Sequence, residues 1–431
     1  MLLEIESLDA EGRGIARHEG KVVFVEGALP GERVEARILQ RKPSFDLAVA
    51  TQVVHASPFR TVPRCPHFGT CGGCSLQHFD VRAQVAAKQR VLEDNLRRIG
   101  KVQPGQVLPP IIGPAWGYRH RARFSARYVV KKGRALIGFR ERKSSFVTDM
   151  DSCEVVPPAI SALLPQLRAL VQDLSIRECI PQIELAVGES ATVLVFRVLA
   201  APNAADREKL DAFGREHGVA VYLQTKGPDT AAPLAGPPVP LDYALPEFGL
   251  RIGFGPTDFT QVNPAVNAVL VRRALSLLEP QPGERIADLF CGLGNFTLAI
   301  ARRGSRVLGV EGSSVLLARA AENAKTNGLS DRVEFRVADL FKVTPATLEA
   351  WGAFDRMLID PPRDGAMDLV KSIGPAGPKR IVYVSCNPST LARDAEVLVH
   401  VHGYVLGATG IVNMFPHTAH VESVAVFDKF N

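Results

Sequence analysis

The segment around Cys386 has the composition of a strand that ends in a nucleophile. It reads Ile381-Val-Tyr-Val-Ser-Cys-Asn-Pro388, and a β-branched run before a Cys-x-Pro stop predicts a buried parallel strand followed by the start of a helix. The carboxyl end of such a strand is where α/β sheets place reactive groups. Cys386 is therefore a candidate nucleophile. The alternative is a packing role, because free cysteine is among the most buried residue types.

A second group of cysteines has the spacing of a metal site. Cys65, Cys71 and Cys74 form a C-x5-C-x2-C run, and Cys153 is a candidate fourth ligand. Glycines in the run allow backbone N–H groups to turn towards sulfur. Four thiolates suit either a tetrahedral zinc ion or a [4Fe-4S] cluster, and the spacing alone does not choose between them.

Acidic residues follow successive predicted strands in the last third of the chain. Asp288 precedes a Gly-x-Gly turn, Glu311 ends the next strand, and Asp339 follows the third. Backbone in such a turn can approach a ligand closely, and an acid after the second strand can accept both hydroxyls of a ribose. Only two glycines are present and no Gly-Lys-Ser/Thr follows, so the sequence lacks the features that bind the phosphates of a nucleotide. We therefore predict S-adenosylmethionine rather than NAD or ATP, with helix capping as the alternative for Asp288 and Glu311.

The fourth strand of this region is predicted to end at Asp360, in the sequence Met357-Leu-Ile-Asp-Pro-Pro-Arg363. In methyltransferases a similar Asp-Pro-Pro-Tyr loop positions an exocyclic amino nitrogen. Methylation of adenine N6 is therefore one hypothesis. It is weakened by Arg363, which stands where an aromatic ring would normally stack on the target base.

The elements that must position these residues predict three domains, because 431 residues are too many for one core. Residues 1–56 contain several short strands and turns, which are typical of an OB-type barrel. Residues 57–254 predict a central α+β domain that carries the cysteine run. Residues 255–431 alternate strand and helix as in a Rossmann-like α/β domain.

Basic residues are concentrated in one part of the chain. From Arg82 to Lys143 there are sixteen Lys or Arg and three acids, whereas the net charge of the whole chain is only +6. Such a block implies a polyanionic partner. Within it, period-two alternation places Arg119, Arg121 and Arg123 on one face of a predicted strand, where they are expected to form a phosphate track.

The same block begins with a predicted basic helix from Val81 to Ile99. Its packed face is expected to contain apolar residues at helical spacing. These residues are Val85, Leu92, Leu96 and Ile99.

Membrane and export signals are not expected in this sequence. No window of about 18 uncharged apolar residues occurs, which excludes a transmembrane helix. Residues 1–10 contain three acids and no basic start, so no signal peptide is predicted. The chain is expected to be cytoplasmic and monomeric, and its cysteines are better interpreted as metal ligands or catalytic thiols than as disulfides.

Several motifs resemble those of a known family. Gly-Arg-Gly-Ile-Ala at 12–16 and Val-Phe-Val-Glu-Gly-Ala-Leu-Pro-Gly-Glu at 23–32 resemble a TRAM domain, an OB-like RNA-binding module. Five further motifs occur in order, and over nearly its whole length the chain resembles the RNA uracil-C5 methyltransferases. The five are Phe259-Thr-Gln-Val-Asn, the Asp288 motif, Asp360-Pro-Pro-Arg, Ser385-Cys-Asn-Pro and His420-Val-Glu. A TRAM domain combined with four cysteines resembles the branch that modifies 23S ribosomal RNA.

This resemblance implies roles for individual residues. Cys386 would be the nucleophile and Glu422 the proton acceptor. Cys65, Cys71, Cys74 and Cys153 would hold a [4Fe-4S] cluster, with zinc as the alternative. Contacts to S-adenosylmethionine would be made by Gln261, Phe290, Asn295, Glu311, Asp339 and Asp360.

The chemistry of uracil explains why both a thiol and a carboxylate would be needed. Carbon 5 is too weak a nucleophile to take a methyl group from a sulfonium unaided. A thiolate that adds at C6 converts the ring into an enolate whose charge lies on C5. A carboxylate must then remove the C5 proton so that the thiol can be eliminated. The implied function is methylation of a specific uridine at C5 in 23S ribosomal RNA through a Cys386 adduct.

Two further expectations concern the site itself. The thiolate requires a pKa below about 8.5, which a helix start after Pro388 and the nearby Arg363 are expected to supply. The target base must leave its stack, and Phe259 and Phe415 are candidates for stacking on it, with core packing as the alternative.

Three alternative functions remain open at this point. One is C5 methylation of another RNA, either tRNA or a second ribosomal site. Another is N6 methylation of adenine, which would not require Cys386. The last is RNA binding without catalysis.

Overall fold

The computed structural model describes residues 1–430, and its amino-terminal part is a small six-stranded sheet around its own apolar core. The sheet order is β1-β5-β6-β4-β3-β2. Alternate residues such as Val23 and Val25 point inward, as period two requires. The strands are β1 (Leu2–Glu4), β2 (Ser7–Leu8), β3 (Gly14–His18), β4 (Lys21–Glu26), β5 (Arg33–Arg41) and β6 (Phe45–His55).

The next segment is a helix that leaves the central region and packs on the carboxyl-terminal sheet. Helix α1 (Val81–Asn95) is capped by Asp80, whose side chain accepts from the backbone N–H groups of residues 82 and 83. Its helical turns continue through Leu96–Gly100, and strand β7 (Gln106–Val107) follows. The helix was predicted correctly, and Val85, Leu92 and Leu96 are buried. Ile99 is 41% exposed, so its predicted place in the packed face is wrong.

The central region has a mixed six-stranded sheet with helices packed against it, in the order β13-β12-β11-β10-β8-β9. Residues 158–224 contribute helices, two strands, a further helix and a strand to this α+β region. Its strands are β8 (Arg121–Val129), β9 (Arg134–Gly138), β10 (Gln182–Val187), β11 (Thr192–Arg197), β12 (Ala220–Gln224) and β13 (Ala232–Pro233). Its helices are α2 (Pro158–Ser161), α3 (Leu164–Asp173) and α4 (Ala204–His217).

A hairpin and a long helix lead into the carboxyl-terminal sheet. The hairpin consists of β14 (Asp242–Leu245) and β15 (Leu250–Gly253), and the helix is α5 (Pro264–Leu278). Asn263 caps this helix, and Pro264 at its first position needs no N–H partner there.

The carboxyl-terminal sheet has eight strands and helices on both faces, as in a doubly wound α/β domain. Its order is β18-β17-β16-β19-β20-β22-β21-β7. The first five of these are parallel, and β22 runs antiparallel to both its neighbours. The strands are β16 (Arg285–Leu289), β17 (Arg306–Glu311), β18 (Val333–Val337), β19 (Arg356–Ile359), β20 (Arg380–Ser385), β21 (Val405–Val412) and β22 (Glu422–Asp428). The helices are α6 (Thr297–Arg302), α7 (Ser314–Thr326), α8 (Pro345–Trp351), α9 (Met367–Ser372) and α10 (Pro388–His400).

One edge of this sheet is built from a distant part of the chain. Strand β7 pairs in parallel with β21, so residues 106–107 complete a sheet whose other strands lie after residue 284. Helix α1 and the turns after it pack on α10. The predicted domain boundary at residue 255 therefore does not separate all the residues that build the two regions.

The amino-terminal sheet also contacts the carboxyl-terminal region. A Cβ atom built on Gly12 would lie 2.9 Å from Leu76 and 3.4 Å from Ala419. Only glycine fits there, both for this contact and because its φ is +77°. Within residues 1–430, no helix is long and apolar enough to cross a bilayer.

Candidate active site

Cys386 lies between the end of β20 and the start of α10. The strand stops at Ser385, and Asn387 caps the helix by accepting from the N–H of Ser389. The side chain of Cys386 is half-buried. The predicted strand, stop and helix are all present, and they place this thiol at the carboxyl edge of the sheet.

Glu422 is brought next to this cysteine by antiparallel pairing. Strands β20 and β22 pair so that Ser385 lies opposite Ser423. The next residues in register are Cys386 on one strand and Glu422 on the other. Glu422 is 6% exposed. The two residues predicted to act together are therefore neighbours in the fold.

The charge state of Cys386 differs from the expectation. Burial, together with the carboxylates of Glu422 and Asp360, raises the pKa of its thiol to about 11, while Arg363 opposes them. The expected pKa below about 8.5 is therefore wrong for the free protein. Its cause, the nearby guanidinium, is present, but burial beside two acids outweighs it.

Glu422 has the properties of a base that works near neutral pH. Burial raises its pKa to about 7, while the charges of Arg363 and Lys88 lower it. Burial also raises the pKa of Asp360 well above its usual value, and the charges of Glu422 and Asp288 add to this. A general base is most effective when its pKa lies near the working pH.

The loop after β19 is attached to the start of α10. The backbone oxygen of Arg363 accepts from Asn387 Nδ2 at 3.1 Å and from Thr390 Oγ1 at 3.2 Å. The guanidinium of Arg363 lies 2.8 Å from Nδ1 of His420. Arg363 is therefore held between the nucleophile's helix and the segment that leads to Glu422.

The turn after β16 and the acid that ends β17 are the parts that were predicted to bind a nucleoside. Phe290 has φ of +66° and Gly292 of +53°, so the turn is held open in an unusual backbone conformation. Both oxygens of Glu311 accept backbone N–H groups, one from Gly292 at 3.2 Å and one from Ser313 at 3.0 Å. These bonds fix the direction of the carboxylate that was predicted to bind a ribose.

Asp288 is fully buried behind this turn. One carboxylate oxygen accepts from Thr297 Oγ1, and the other has no hydrogen-bond partner within residues 1–430. Burial raises its pKa to about 7. Such an unpartnered oxygen is costly unless a ligand or water completes it. The site therefore fits a bound cofactor with a hydrogen-bond donor.

Gln261 lies on a loop that is held by an arginine of the central sheet. Arg121 donates to the backbone oxygens of Pro256 and Asp258, both at 2.7 Å. Asp258 in turn pairs with Arg319 at 2.7 Å. Because Arg121 is occupied by these carbonyl oxygens, its predicted role in a phosphate track is wrong.

The other two members of the predicted track also have protein partners. Arg123 pairs with Glu184 at 3.1 Å, and Nε of Arg119 donates to the backbone oxygen of Arg121. Phe259, by contrast, is 72% exposed, and Phe415 is half-buried next to His420. Stacking of either ring on a base stays a prediction.

Asn295 and Asp339 have protein partners of their own. The amide of Asn295 exchanges hydrogen bonds with Asn267 and accepts from Tyr243 at 2.9 Å. Asp339 is exposed and pairs with Lys342 at 3.0 Å. A direct contact from either side chain to a cofactor would require exchange of these partners.

The four cysteines line one cavity of about 270 Å³. Burial raises the pKa of Cys74 to about 12 and of Cys153 to about 11, and in both cases the charges of neighbouring cysteines add to the effect. The thiols are therefore close enough to affect one another. No group of three or more His, Cys, Asp or Glu side chains in residues 1–430 has the arrangement of a metal-ion site.

Sequence reasoning missed the contacts that hold residues 413–421, which connect β21 to Glu422. Gln84 accepts from the N–H of His417 at 2.8 Å, and the backbone of Ser75 and Leu76 donates to the oxygen of His417. The indole of Trp116 stacks on the same imidazole at 3.8 Å. We call residues 413–421 the base loop.

Lys88 was also missed, although the sequence contains a signal for it. It is 3% exposed and donates to Asn413 and Phe415 of the base loop. It lies three residues after Val85 and four before Leu92, which places a charge inside the predicted apolar face of α1.

Comparisons with known proteins agree with this geometry. Residues 82–430 match the tRNA (Uracil-5-)-methyltransferase family, and residues 1–49 match the TRAM domain. The chain is 60% identical over 429 residues to the 23S rRNA (uracil(1939)-C(5))-methyltransferase RlmD of Azoarcus sp. (strain BH72), covering 99% of both chains. It is 58% identical to the protein of the same name from Nitrosospira multiformis, covering 99% of this chain and 98% of the other.

A solved structure shares the whole fold. The tRNA (uracil-54, C5)-methyltransferase of Pyrococcus abyssi, in complex with S-adenosyl-L-homocysteine, has a TM-score of 0.76 and 26% identity, covering 99% of each chain. The expected methyltransferase fold and TRAM domain are thus confirmed. The chain belongs to the family of RNA uracil-C5 methyltransferases.

Proposed function

We propose that this enzyme methylates C5 of one uridine in 23S ribosomal RNA, the counterpart of the uracil 1939 for which its relatives are named. Identity of 60% over 99% of both chains supports this substrate. The fold alone does not, since a tRNA enzyme shares it at 26% identity. We also propose that the enzyme acts in the cytoplasm, as expected for ribosomal RNA modification, and as a monomer.

The observation that carries the proposed mechanism is the register of β20 and β22, which makes Cys386 and Glu422 neighbours. Cys386 adds to C6 as a thiolate. S-adenosylmethionine supplies the methyl group that C5 takes. Glu422 then accepts the C5 proton, the electrons of that C–H bond restore the C5–C6 double bond, and the thiolate of Cys386 leaves.

Binding of RNA must also change the environment of Cys386. Its thiol has a pKa of about 11 in the free protein. Arg363 and the amino end of α10 are the parts of the chain that favour the thiolate. A base stacked over the half-buried sulfur would exclude water, so that Arg363 and the amino end of α10 stabilise the thiolate with less screening.

Residues of the predicted nucleoside site would hold the cofactor. Glu311, whose carboxylate is fixed by two backbone N–H groups, would accept the ribose hydroxyls, and Asp288 and Asp360 would supply carboxyl groups that accept or share a hydrogen bond. Phe290 and Gln261 are proposed as further contacts. Asn295 would order the site through Asn267 and Tyr243, and Asp339 is proposed as the adenine contact.

We further propose that Cys65, Cys71, Cys74 and Cys153 hold a [4Fe-4S] cluster. Their position around one cavity supports a shared bound group, which would keep the thiols deprotonated. A single zinc ion requires sulfur atoms about 2.3 Å from one centre. Zinc is therefore the alternative, and metal analysis distinguishes the two.

Nucleoside analysis of RNA methylated by the enzyme tests the substrate. We expect 5-methyluridine in a 23S fragment and none in tRNA, and a stable covalent complex when the target is 5-fluorouridine, which has no C5 proton. Cys386→Ala should abolish both. Methylated adenosine, or labelling of tRNA alone, would contradict the proposal.

Iron and sulfide analysis of anaerobically purified protein tests the cluster. Cys153→Ser should lose iron, whereas Cys179→Ser, at a half-buried cysteine outside the cavity, should keep it. Stoichiometric zinc in the wild type would contradict this part of the proposal.

A further inference from the structure

Lys88 reaches the base loop from helix α1. Its ammonium donates to Asn413 Oδ1 at 2.8 Å and to the backbone oxygen of Phe415 at 2.9 Å. The two contacts span 325 and 327 residues of sequence. The side chain therefore fastens the segment before Glu422 to an element at the other end of the chain.

Packing does not explain why this residue carries a charge. A buried ammonium is costly, and its two hydrogen-bond acceptors are neutral. Burial lowers the pKa of Lys88 to about 7, and the charge of Glu422 opposes this. An uncharged side chain of similar length would fill the same space at lower cost. The charge of Glu422 is the nearby interaction that favours the ammonium form.

The acidic side of the site supplies that interaction. Glu422 is surrounded by Asp360 from the loop after β19 and by Cys386 from the end of β20, and both become less acidic because of its charge. His417 and His420 are neutral near pH 7, since burial lowers the pKa of each to about 4.

Two cations lower the pKa of Glu422, Arg363 more strongly than Lys88. Arg363 is exposed and lies against His420, so salt and solvent weaken its effect. Lys88 is buried, so its smaller effect depends less on salt. No salt bridge joins Lys88 to Glu422 within the described chain, and the interaction acts through space.

We propose that Lys88 is a positioning residue for proton removal, whose ammonium fastens the base loop and holds Glu422 as a carboxylate until the C5 proton is transferred. The inference rests on the proposed role of Glu422. In this step the C5–H bond breaks, its proton passes to Glu422, its electron pair forms the C5–C6 double bond, and the C6–S bond breaks to give the thiolate.

The test is the pH profile of adduct decay. Enzyme, RNA and S-adenosylmethionine are mixed, and the covalent complex is followed in denaturing gels across about pH 5.5 to 9. In Lys88→Met the acid limb of the decay rate should move up by about one pH unit, which is about tenfold slower decay below the limb. Lys88→Arg keeps the charge and should leave the limb near its wild-type position.

Gln84→Met is the matched control, because Gln84 also fastens the base loop from α1 but carries no charge. It should slow the reaction without moving the limb. An unmoved limb in Lys88→Met would overturn the inference. The inference would also be overturned if Lys88→Arg folded while Lys88→Met and Lys88→Gln did not, because the charge would then be needed for folding.

The Glu422→Gln variant separates this inference from the proposed function. If the adduct of Glu422→Gln decays at the wild-type rate, the base is another residue, and both the proposed role of Glu422 and that of Lys88 are wrong. If that adduct persists at every pH while Lys88→Met behaves as wild type, only the role of Lys88 is wrong.

Discussion

Cys386, the proposed nucleophile, and Glu422, the proposed base, lie at one edge of a sheet, and burial shifts the pKa of both. Burial favours the neutral form of each group. For Glu422 this brings the pKa to about 7, which suits proton removal near neutral pH. For Cys386 it opposes formation of the thiolate. We therefore expect substrate binding to be needed before Cys386 forms its thiolate.

Glu422→Gln should separate the two halves of the reaction. The amide keeps the size of the side chain but cannot accept the C5 proton, so methylated adduct should accumulate with product release at least about a hundredfold slower. Denaturing gels of enzyme mixed with ordinary RNA measure this directly. Normal turnover by the variant would place the base elsewhere.

The two steps should also respond differently to pH. Release should accelerate between about pH 5.5 and 7.5 and then level off, because the carboxylate form of Glu422 is the active one. Adduct formation should continue to rise above that range, because raising the pH favours the Cys386 thiolate. Single-turnover rates of the two steps check this, and a release rate that falls with pH would contradict it.

At the scale of elements, loops of the candidate site are held by residues from other regions. Arg121 of β8 fastens residues 256–258, just before Gln261. The guanidinium is partly buried, and burial lowers its pKa to about 10. It has therefore exchanged much of its contact with water for contacts with the protein. A residue expected to bind RNA phosphate thus positions the loop before Gln261, a proposed cofactor contact.

Removing this guanidinium should weaken cofactor binding. Arg121→Ala loses two hydrogen bonds from a charged donor, so S-adenosylhomocysteine should bind about tenfold or more weakly by calorimetry. Arg123→Ala is the control, because Arg123 lies on the same face and pairs with Glu184 instead. Equal affinities in the two variants would show that the loop holds its shape without Arg121.

At the scale of the whole molecule, the amino-terminal sheet contacts the base loop directly. The turn at Gly12 lies against Leu76 and Ala419, two residues before Val421. The TRAM domain therefore does more than add a surface for RNA. Its position is part of the environment of the catalytic base.

Two glycines allow this contact to be tested with a matched pair. Gly12 and Gly20 have φ of +77° and +78°, so alanine strains the backbone equally at both. Only at Gly12 does the new Cβ meet neighbours, because Gly20 has nothing within 4 Å. Gly12→Ala should slow methyl transfer severalfold relative to Gly20→Ala at similar thermal stability. Equal rates would mean that the contact is dispensable.

Local patterns and long-range contacts differ in what the sequence can reveal about this fold. The strand that ends before Cys386 and the acids after β16 and β17 follow from hydrophobic periodicity and strand ends, which are local properties. The contact of Lys88 with Asn413 spans 325 residues, and that of Arg121 with Asp258 spans 137. The pKa of Cys386 was mispredicted for the same reason, since residues distant in sequence determine its burial.

The outer position of β21, β22 and β7 has a consequence for biosynthesis. A ribosome makes residues 405–428 after all the remaining strands of this sheet. The nascent polypeptide therefore contains Cys386 before it contains Glu422, the proposed proton acceptor. Strand β7, made some three hundred residues earlier, has no partner until then. The order of translation thus prevents methylation until the last strands have been made. A chain that ends before them would have no methyltransferase activity.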